Sequence, residues 1–259
     1  MPGLPPHLES PTLQSEDEGG NKDPSSDKKP CFGVRSEGLL YVVATPIGNL
    51  EDLSARATRI LREADAIICE DTRVTSKLLV HLNISKELIS LHQHSGDFVF
   101  KKIVERLRAR CMLAYVTDAG TPGLADPGGK LVHAAVAAGI ATVPIPGPSA
   151  LTTSISIAGF NLQEFTFLGW PPHKKGRQTF FKQLAQSARP VIFYESTHRI
   201  IKTLTELSKL IPDHQLIVAR ELTKKFETIY RGTAASILTQ LENTSTKGEF
   251  VVIVNIESK

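Results

Sequence analysis

The sequence of 259 residues has little cysteine and no long apolar run. Its three cysteines, Cys31, Cys69 and Cys111, are too few and too scattered for a disulfide framework or a zinc ribbon. No stretch approaches the ~18 consecutive apolar residues that a membrane-spanning helix needs. The N-terminus lacks the basic-then-apolar pattern of a signal peptide and the Arg-rich, acid-poor pattern of a transit peptide. These absences predict a cytoplasmic protein that has no membrane partner.

Enough apolar material is present for a core, since 41% of the residues are hydrophobic and 22% are charged. The formal net charge of +3 is the sum of two unlike parts. Residues 1–38 are rich in proline, serine and glycine, and their seven acidic and four basic residues give a charge of −3. We predict that this segment is a disordered acidic tail, because it cannot bury enough surface to offset its ordering entropy. Residues 39–259 then carry +6.

Apolar runs alternate with amphipathic helical patterns from Leu39 to Gly159. Repeated strand–helix units of this kind predict a mostly parallel sheet with helices on both faces. After Gly159 several predicted strands follow one another through short connections, which indicates a second, mixed sheet. The predicted fold is therefore α/β, with an N-terminal domain over 39–159 and a C-terminal α/β domain over 160–259. The strands predicted for the second half cover 165–168, 191–194, 215–220, 226–230 and 250–256.

Four loops that follow predicted strands of the first half are candidates for a binding cleft. They are residues 45–49, 70–73, 117–122 and 144–150. In α/β sheets, ligands bind beyond the carboxyl ends of the strands, so these loops together outline one cleft. The first loop has one glycine and not the G-x-G-x-x-G of a dinucleotide site. Each loop alone is a weak signal, since the first is equally compatible with a plain turn and Ser149 of the fourth could simply cap a helix.

A second cluster of interest is the cationic segment 170–177, which holds three cations and the only tryptophan of the chain. RNA needs cations for its phosphates and planar groups for stacking. A solvated basic loop has the same composition, but the +6 charge of residues 39–259 favours RNA. The candidate RNA-binding residues are Trp170, Lys174, Lys175, Arg177, Arg199 and Lys225.

His92 and His94 lie two residues apart at the end of a predicted strand, and this spacing suggests a metal site. Two alternate residues point to the same side of a strand, but no third ligand is near in sequence. We therefore predict no metal.

Seven segments of the chain carry a family resemblance. They read LYVVATPIGNLEDLSARA, ICEDTR, TDAGTPGLADPG, PIPGPSA, FYESTHRI, ARELTKKFETIYRG and KGEFVVIV. These segments resemble the ribosomal RNA small subunit methyltransferase I family, within the tetrapyrrole methylase class of S-adenosylmethionine enzymes. The resemblance covers about residues 39–259 in order. The ATPIGN turn stands where small-molecule methylases of the class have a glycine-rich turn.

The resemblance implies a two-domain tetrapyrrole-methylase-like fold with S-adenosylmethionine in the cleft between the domains, and a homodimer. It implies methyl transfer to the ribose 2'-oxygen of a decoding-centre cytidine in 16S ribosomal RNA, with the RNA or the small subunit as partner. The cofactor positions that it implies are Pro46, Thr117, Asp118, Thr121, Ser149, Ala150, Tyr194 and Ala219.

The chemistry of methyl transfer leaves the catalytic group open. Positioning carries most of the catalysis, and a ribose hydroxyl benefits from a nearby base. Glu195 is one candidate base. Glu70 and Asp71 are others, unless they pair with Arg73 and only shape their loop. Glu221 and Lys224 are further candidates, and the residues that we carry forward as catalytic candidates are Glu70, Asp71, Glu221 and Lys224.

Two other functions compete with RNA methylation. The first is a methylase of the same fold that acts on a tetrapyrrole-like small molecule, and the second is a non-catalytic RNA-binding module. The cationic segment 170–177 argues against the tetrapyrrole methylase, because a tetrapyrrole site would be lined by apolar and aromatic residues. The intact DAGTP and PGPS loops argue against the second.

Overall fold

The computed structural model describes residues 37–124 and 126–256. All of the predicted acidic tail except its last two residues lies outside these ranges. None of the described helices is both long and apolar enough to cross a bilayer. In the described ranges the strands are β1 Leu39–Val43, β2 Ala66–Cys69, β3 Glu87–Ser90, β4 Met112–Val116, β5 Ala141–Ile145, β6 Thr166–Phe167, β7 Val191–Ser196, β8 Leu216–Arg220, β9 Thr228–Gly232 and β10 Glu249–Val254. The α-helices are α1 Ala55–Glu63, α2 Thr72–His81, α3 Asp97–Arg108, α4 Gly128–Ala137, α5 Ala150–Ser156, α6 Arg177–Ala185, α7 Ile200–Leu210 and α8 Ala234–Glu242.

Strands β1 to β5 form one sheet in the order β3-β2-β4-β1-β5, and every pair is parallel. Helices α1 and α2 cover one face, and α3 and α4 cover the other. The central strands β2 and β4 are buried at every residue, as their continuous apolar sequences require. Apolar residues of α1 recur at Ala57, Ile60 and Leu61, which places them on the face toward the sheet. The predicted parallel sheet covered on both faces is confirmed.

Strands β6 to β10 form the second sheet in the order β6-β7-β10-β8-β9. Only β6 and β7 are parallel, so the predicted mixed sheet is confirmed. Helices α6, α7 and α8 cover one face, and α5 packs on the other, where Leu151 shares a cluster with Ile217 and Val251. The domain division at Gly159 stays a prediction. It assigns α5 to the first domain, although this helix packs on the second sheet.

One predicted strand begins later than its sequence indicates. Strand β9 begins at Thr228 and not at Phe226, because residues 221–227 form a tight loop. Glu221 and Thr223 both have positive φ angles, 52° and 64°, and the Lys224 N–H donates to the Glu221 carbonyl at 3.0 Å. Phe226 is consequently 63% exposed.

The topology of the first sheet creates a crevice between β1 and β4. The chain leaves β1 toward β2 and leaves β4 toward β5, and α1 and α4 lie on opposite faces. Ligand crevices occur at such a switch point, outside the carboxyl ends of the strands. Mutual backbone hydrogen bonds of 3.0 and 3.1 Å between Thr45 and Gly120 tie the two flanking loops together.

Candidate active site

A cavity of about 220 Å³ lies at the switch point, and residues of the second sheet line its other side. We call it the cleft. Pro46 does not line it, although the next residue, Ile47, does. The other seven candidate cofactor residues all line the cleft: Thr117, Asp118, Thr121, Ser149, Ala150, Tyr194 and Ala219. The cleft therefore brings together residues from loops that are far apart in sequence.

Hydroxyl groups hold the first-sheet loops of the cleft against one another. The Thr45 hydroxyl donates to the Thr117 carbonyl at 3.1 Å, and the Thr121 hydroxyl donates to the Pro148 carbonyl at 2.9 Å. Ser149 is the N-cap of α5, yet its side chain makes no capping hydrogen bond. Its hydroxyl is therefore not committed to the helix and lines the cleft.

Carboxylates gather where β2 and β4 end. Asp118 Oδ1 accepts a hydrogen bond from the Asp71 N–H at 3.1 Å, which joins the two loops. Glu70 lines the cleft, and its pKa is raised by burial first and then by the charges of Asp118 and Asp126. A carboxyl with a raised pKa is a better proton acceptor near neutral pH than an ordinary one.

Asp71 is not part of the cleft. Its carboxylate caps α2 by accepting from the Arg73 N–H at 2.8 Å, and it pairs with the Arg73 guanidinium at 2.6 Å. Hydrogen bonds from Arg73 lower the pKa of Asp71 to about 2. Asp71 thus shapes its loop, which is the alternative that the sequence left open for it, and we do not retain it as a catalytic candidate.

Glu221, Lys224 and Glu249 form a charged group on the second-sheet side of the cleft. Lys224 Nζ lies 3.0 Å from Glu221 and 3.1 Å from Glu249. Burial by itself raises the pKa of Glu221, but hydrogen bonds from the Glu249 N–H and from Lys224 outweigh it and lower the net value. Burial likewise lowers the pKa of Lys224, and its two carboxylate partners outweigh that effect and raise it. Lys224 therefore stays cationic and is not a base.

The lining of the cleft is acidic as a whole. Among the described lining residues, Lys224 is the one cation beside the carboxylates of Glu70, Asp118, Glu221 and Glu249. Such a lining attracts a ligand that carries positive charge and repels a phosphate.

The candidate RNA-binding residues divide into exposed and buried ones. Lys174, Lys175 and Lys225 are exposed, and Trp170 is 44% exposed where it lines the cleft, with its ring centroid 5.5 Å from that of Tyr194. Arg177 is only 4% exposed, and its guanidinium pairs with Glu206 at 3.1 Å. The expectation that Arg177 contacts RNA is therefore corrected, because a buried and paired guanidinium cannot reach a phosphate.

The positions of Arg199 and Glu195 also argue against the roles predicted for them, an RNA contact and a catalytic base. The Arg199 side chain is 13% exposed and lies 2.8 Å from Glu195, which is fully buried. Neither residue lines the cleft. We retain neither Arg199 as an RNA contact nor Glu195 as a base.

Two further residues were not among the candidates from the sequence. Glu249 lines the cleft, and Phe226 is exposed outside it. Glu249 reaches Lys224 across 25 residues of chain, so no motif links them. Phe226 lies beside Lys225, whose Nζ is 5.6 Å from the ring centroid, and its assignment to a strand concealed its exposure. Among the described residues no group of three or more metal-ligating side chains occurs.

The sequence matches a known family profile and is similar to named proteins of other organisms. The sequence profile of the Tetrapyrrole (Corrin/Porphyrin) Methylases matches residues 39–238. A protein named ribosomal RNA small subunit methyltransferase I from Xylella fastidiosa (strain Temecula1) is 48% identical over 225 residues, covering 85% of this chain and 82% of the relative. A protein of the same name from Halalkalibacterium halodurans is 41% identical and covers 84% of this chain and 76% of its own length.

Solved structures share the fold at low sequence identity. A uroporphyrin-III C-methyltransferase from Thermus thermophilus, solved with S-adenosyl homocysteine, matches with a TM-score of 0.59 at 17% identity, over 83% of this chain and 97% of its own. A cobalt precorrin-4 methyltransferase matches with a TM-score of 0.61 at 16% identity, over 84% of this chain and 94% of its own. These matches confirm the two-sheet α/β architecture.

Proposed function

The chain belongs to the tetrapyrrole methylase family and, within it, to the ribosomal RNA small subunit methyltransferase I group, and from this membership we propose its reaction. The protein is an S-adenosylmethionine-dependent methyltransferase. It methylates the ribose 2'-oxygen of a cytidine in the decoding centre of 16S ribosomal RNA. The acidic cleft beside exposed lysines is the structural observation that supports this proposal.

The residues of the cleft fit S-adenosylmethionine by their chemistry. This cofactor has a sulfonium and an ammonium group, and the cleft lining holds four carboxylates and one cation. Asp118, Thr121 and Ser149 would hold its polar groups, and Tyr194 and Ala219 would contact its adenosine. Thr117 and Ala150 also line the cleft, whereas Pro46 lies beside it, next to Ile47. Once bound, the cofactor supplies an electrophilic methyl group.

We assign Glu70 as the group that accepts the proton of the ribose hydroxyl. A ribose hydroxyl must lose its proton when its oxygen is methylated, and a carboxylate in the cleft accepts it. Glu70 lines the cleft and has a raised pKa, whereas the pKa of Glu221 is lowered. Lys224 remains protonated and holds Glu221 in place.

The charge pattern also explains how RNA approaches. Exposed Lys174, Lys175 and Lys225 attract phosphates outside the cleft, and Trp170 offers a ring at its edge. The acidic lining keeps phosphates out, so a single ribose and its base enter.

Three organisational proposals rest on the same membership. The protein forms a homodimer, it works in the cytoplasm on the ribosomal RNA or the small subunit, and its two α/β domains divide after Gly159. Analytical ultracentrifugation of the full chain tests the first of these.

The reaction is tested by incubating the protein with methyl-labelled S-adenosylmethionine and small ribosomal subunits, followed by mapping of 2'-O-methyl ribose. We expect label at one cytidine. Glu70→Gln removes the proton acceptor and is expected to retain cofactor binding while losing most of the transfer. Glu63→Gln, an exposed glutamate of α1, is the matched control. Cofactor binding without any label in RNA would contradict the proposal and favour a non-catalytic or small-molecule role.

A further inference from the structure

A fully buried carboxylate lies beneath the cationic segment next to the cleft. Glu195 in β7 has no exposed surface. Arg199 Nε lies 2.8 Å from it, and Arg177 Nη1 lies 3.8 Å from it. The Thr203 hydroxyl donates to Glu195 at 2.6 Å, and the Ser196 N–H donates at 2.8 Å. This set satisfies a charge that would otherwise be costly to bury.

The two arginines lie at the two ends of one segment, residues 171–176, which we call the basic loop. Pro171 is buried, and residues 173–176 are exposed. At its first residue, the Pro171 carbonyl accepts a hydrogen bond from Arg199 Nη1 at 2.7 Å. At its far end, Arg177 begins α6 directly after Gly176. One carboxylate, Glu195, is therefore the common partner of both anchoring side chains.

The middle of the basic loop is free to meet solvent. His173, Lys174 and Lys175 are exposed. Trp170 immediately precedes the Pro171 anchor and lines the cleft, and its ring lies 5.5 Å from that of Tyr194. Fixing Pro171 thus also limits where Trp170 can lie.

We propose that Glu195, Arg177 and Arg199 are positioning residues that fix both ends of the basic loop and thereby present it to RNA. The presentation to RNA rests on the proposed function, whereas the anchoring of the loop does not. Arg199 acts through Pro171, and Arg177 acts through the first turn of α6. Neither guanidinium contacts phosphate.

Trp170 reports on this loop directly, because it is the only tryptophan of the chain. In Arg199→Ala we expect lower steady-state anisotropy of its emission and at least a twofold rise in the acrylamide quenching constant. Arg199→Lys keeps the charge beside Glu195, and we expect partial recovery. Arg189→Ala is the matched control, since this exposed arginine pairs with Glu164 at 2.9 Å and leaves the basic loop alone.

The second readout is binding of a 16S ribosomal RNA fragment at several salt concentrations. We expect Arg199→Ala to weaken binding roughly three- to tenfold and to leave the slope of log K against log salt unchanged, because no phosphate contact is removed. A slope smaller by about 0.7 would mean that Arg199 contacts phosphate itself, and it would overturn the proposal. Because the side chain of Arg199 lies near the surface, this variant is better suited to the test than a substitution of buried Glu195.

The outcomes separate this proposal from the methylation proposal. Unchanged anisotropy and quenching in Arg199→Ala overturn the anchoring. Increased loop motion with unchanged RNA affinity overturns its role in presenting the loop. If the wild-type protein binds neither the RNA fragment nor small ribosomal subunits, the methylation proposal and the presentation of the loop both fail, and the tryptophan result still decides the anchoring.

Discussion

Gly48 and Lys224 meet where the loops after β1 and β8 touch across the cleft. A Cβ on Gly48 would lie 2.4 Å from Lys224 Cγ, 2.7 Å from Thr223 Oγ1 and 2.9 Å from the Leu222 carbonyl oxygen. No real Cβ occupies such positions without displacing its neighbours. The glycine of the ATPIGN turn is therefore required by close approach between the two walls of the cleft.

Gly48→Ala is expected to destabilise the protein by about 1–3 kcal/mol, because inserted atoms force a packed region apart. Urea unfolding measures the change, and the KM for the cofactor is expected to rise as the walls separate. Gly129→Ala is the control, since its Cβ meets nothing within 4 Å and alanine is favoured over glycine in a helix. Equal stability of Gly48→Ala and wild type would contradict the close approach.

Asp118→Asn tests the electrostatics of the first-sheet wall. The amide oxygen still accepts from the Asp71 N–H, but the charge is lost, and we expect the cofactor Kd to rise about tenfold, or about 1.4 kcal/mol. Burial remains the main cause of the raised pKa of Glu70, but one raising charge is removed, so this pKa falls. Since the ionised Glu70 is the active form, activity is then lost at a lower pH than in wild type.

The measurement for Asp118→Asn is kcat against pH at saturating cofactor. We expect the acidic limb of the profile to move to lower pH. Asp52→Asn, at an exposed position outside the cleft, should leave the profile in place. An acidic limb that stays fixed in Asp118→Asn would argue against Glu70 as the proton acceptor.

Lys224→Met leaves Glu221 and Glu249 without their shared cation. Glu221 has a folded-state pKa below its usual value, so its contribution to stability is present above the unfolded pKa and is lost as pH falls through the folded one. Removing Lys224 raises that pKa, and the loss of stability is expected to be at most about 1 kcal/mol because solvent screens the pair. The loss should be largest at neutral pH and should shrink in acid.

Urea unfolding at neutral and acidic pH measures this dependence. Adding Glu249→Gln to Lys224→Met removes one of the two like charges, and we expect it to recover part of the stability. Arg59→Met breaks an exposed helical pair with Glu63 and serves as the reference for a pair outside the cleft. A deficit that grows as the pH falls would be inconsistent with this assignment of charges.

Lys174→Gln combined with Lys175→Gln is expected to weaken RNA binding and to reduce its salt dependence. The slope of log K against log salt should fall by about 0.7 for each lost contact to a single strand. Lys101→Gln with Lys102→Gln, two exposed lysines of α3, should leave the slope unchanged. Both double variants should bind cofactor as wild type does. Equal slopes in the two double variants would show that the basic loop does not contact the phosphates.

Local sequence patterns predicted the elements well. The predicted strands 191–194 and 215–220 coincide closely with β7 and β8, because continuous apolar runs between turn residues are local signals. The predicted start of β9 was wrong, because Glu221 and Thr223 have positive φ angles, which their residue types do not predict. Glu249 was missed for a different reason, since its partner Lys224 is 25 residues away.

By itself the sequence determined the alternation of strands and helices, the loops at the carboxyl ends of the first sheet and the family motifs. These properties depend on periodicity and turn chemistry within a few residues. Only the tertiary structure decided which charges of segment 170–177 face solvent. Lys174 and Arg177 are both cations three residues apart, yet one is exposed and the other is buried beside Glu195 and Glu206. Burial and pairing depend on partners that the chain brings together only when both sheets have formed.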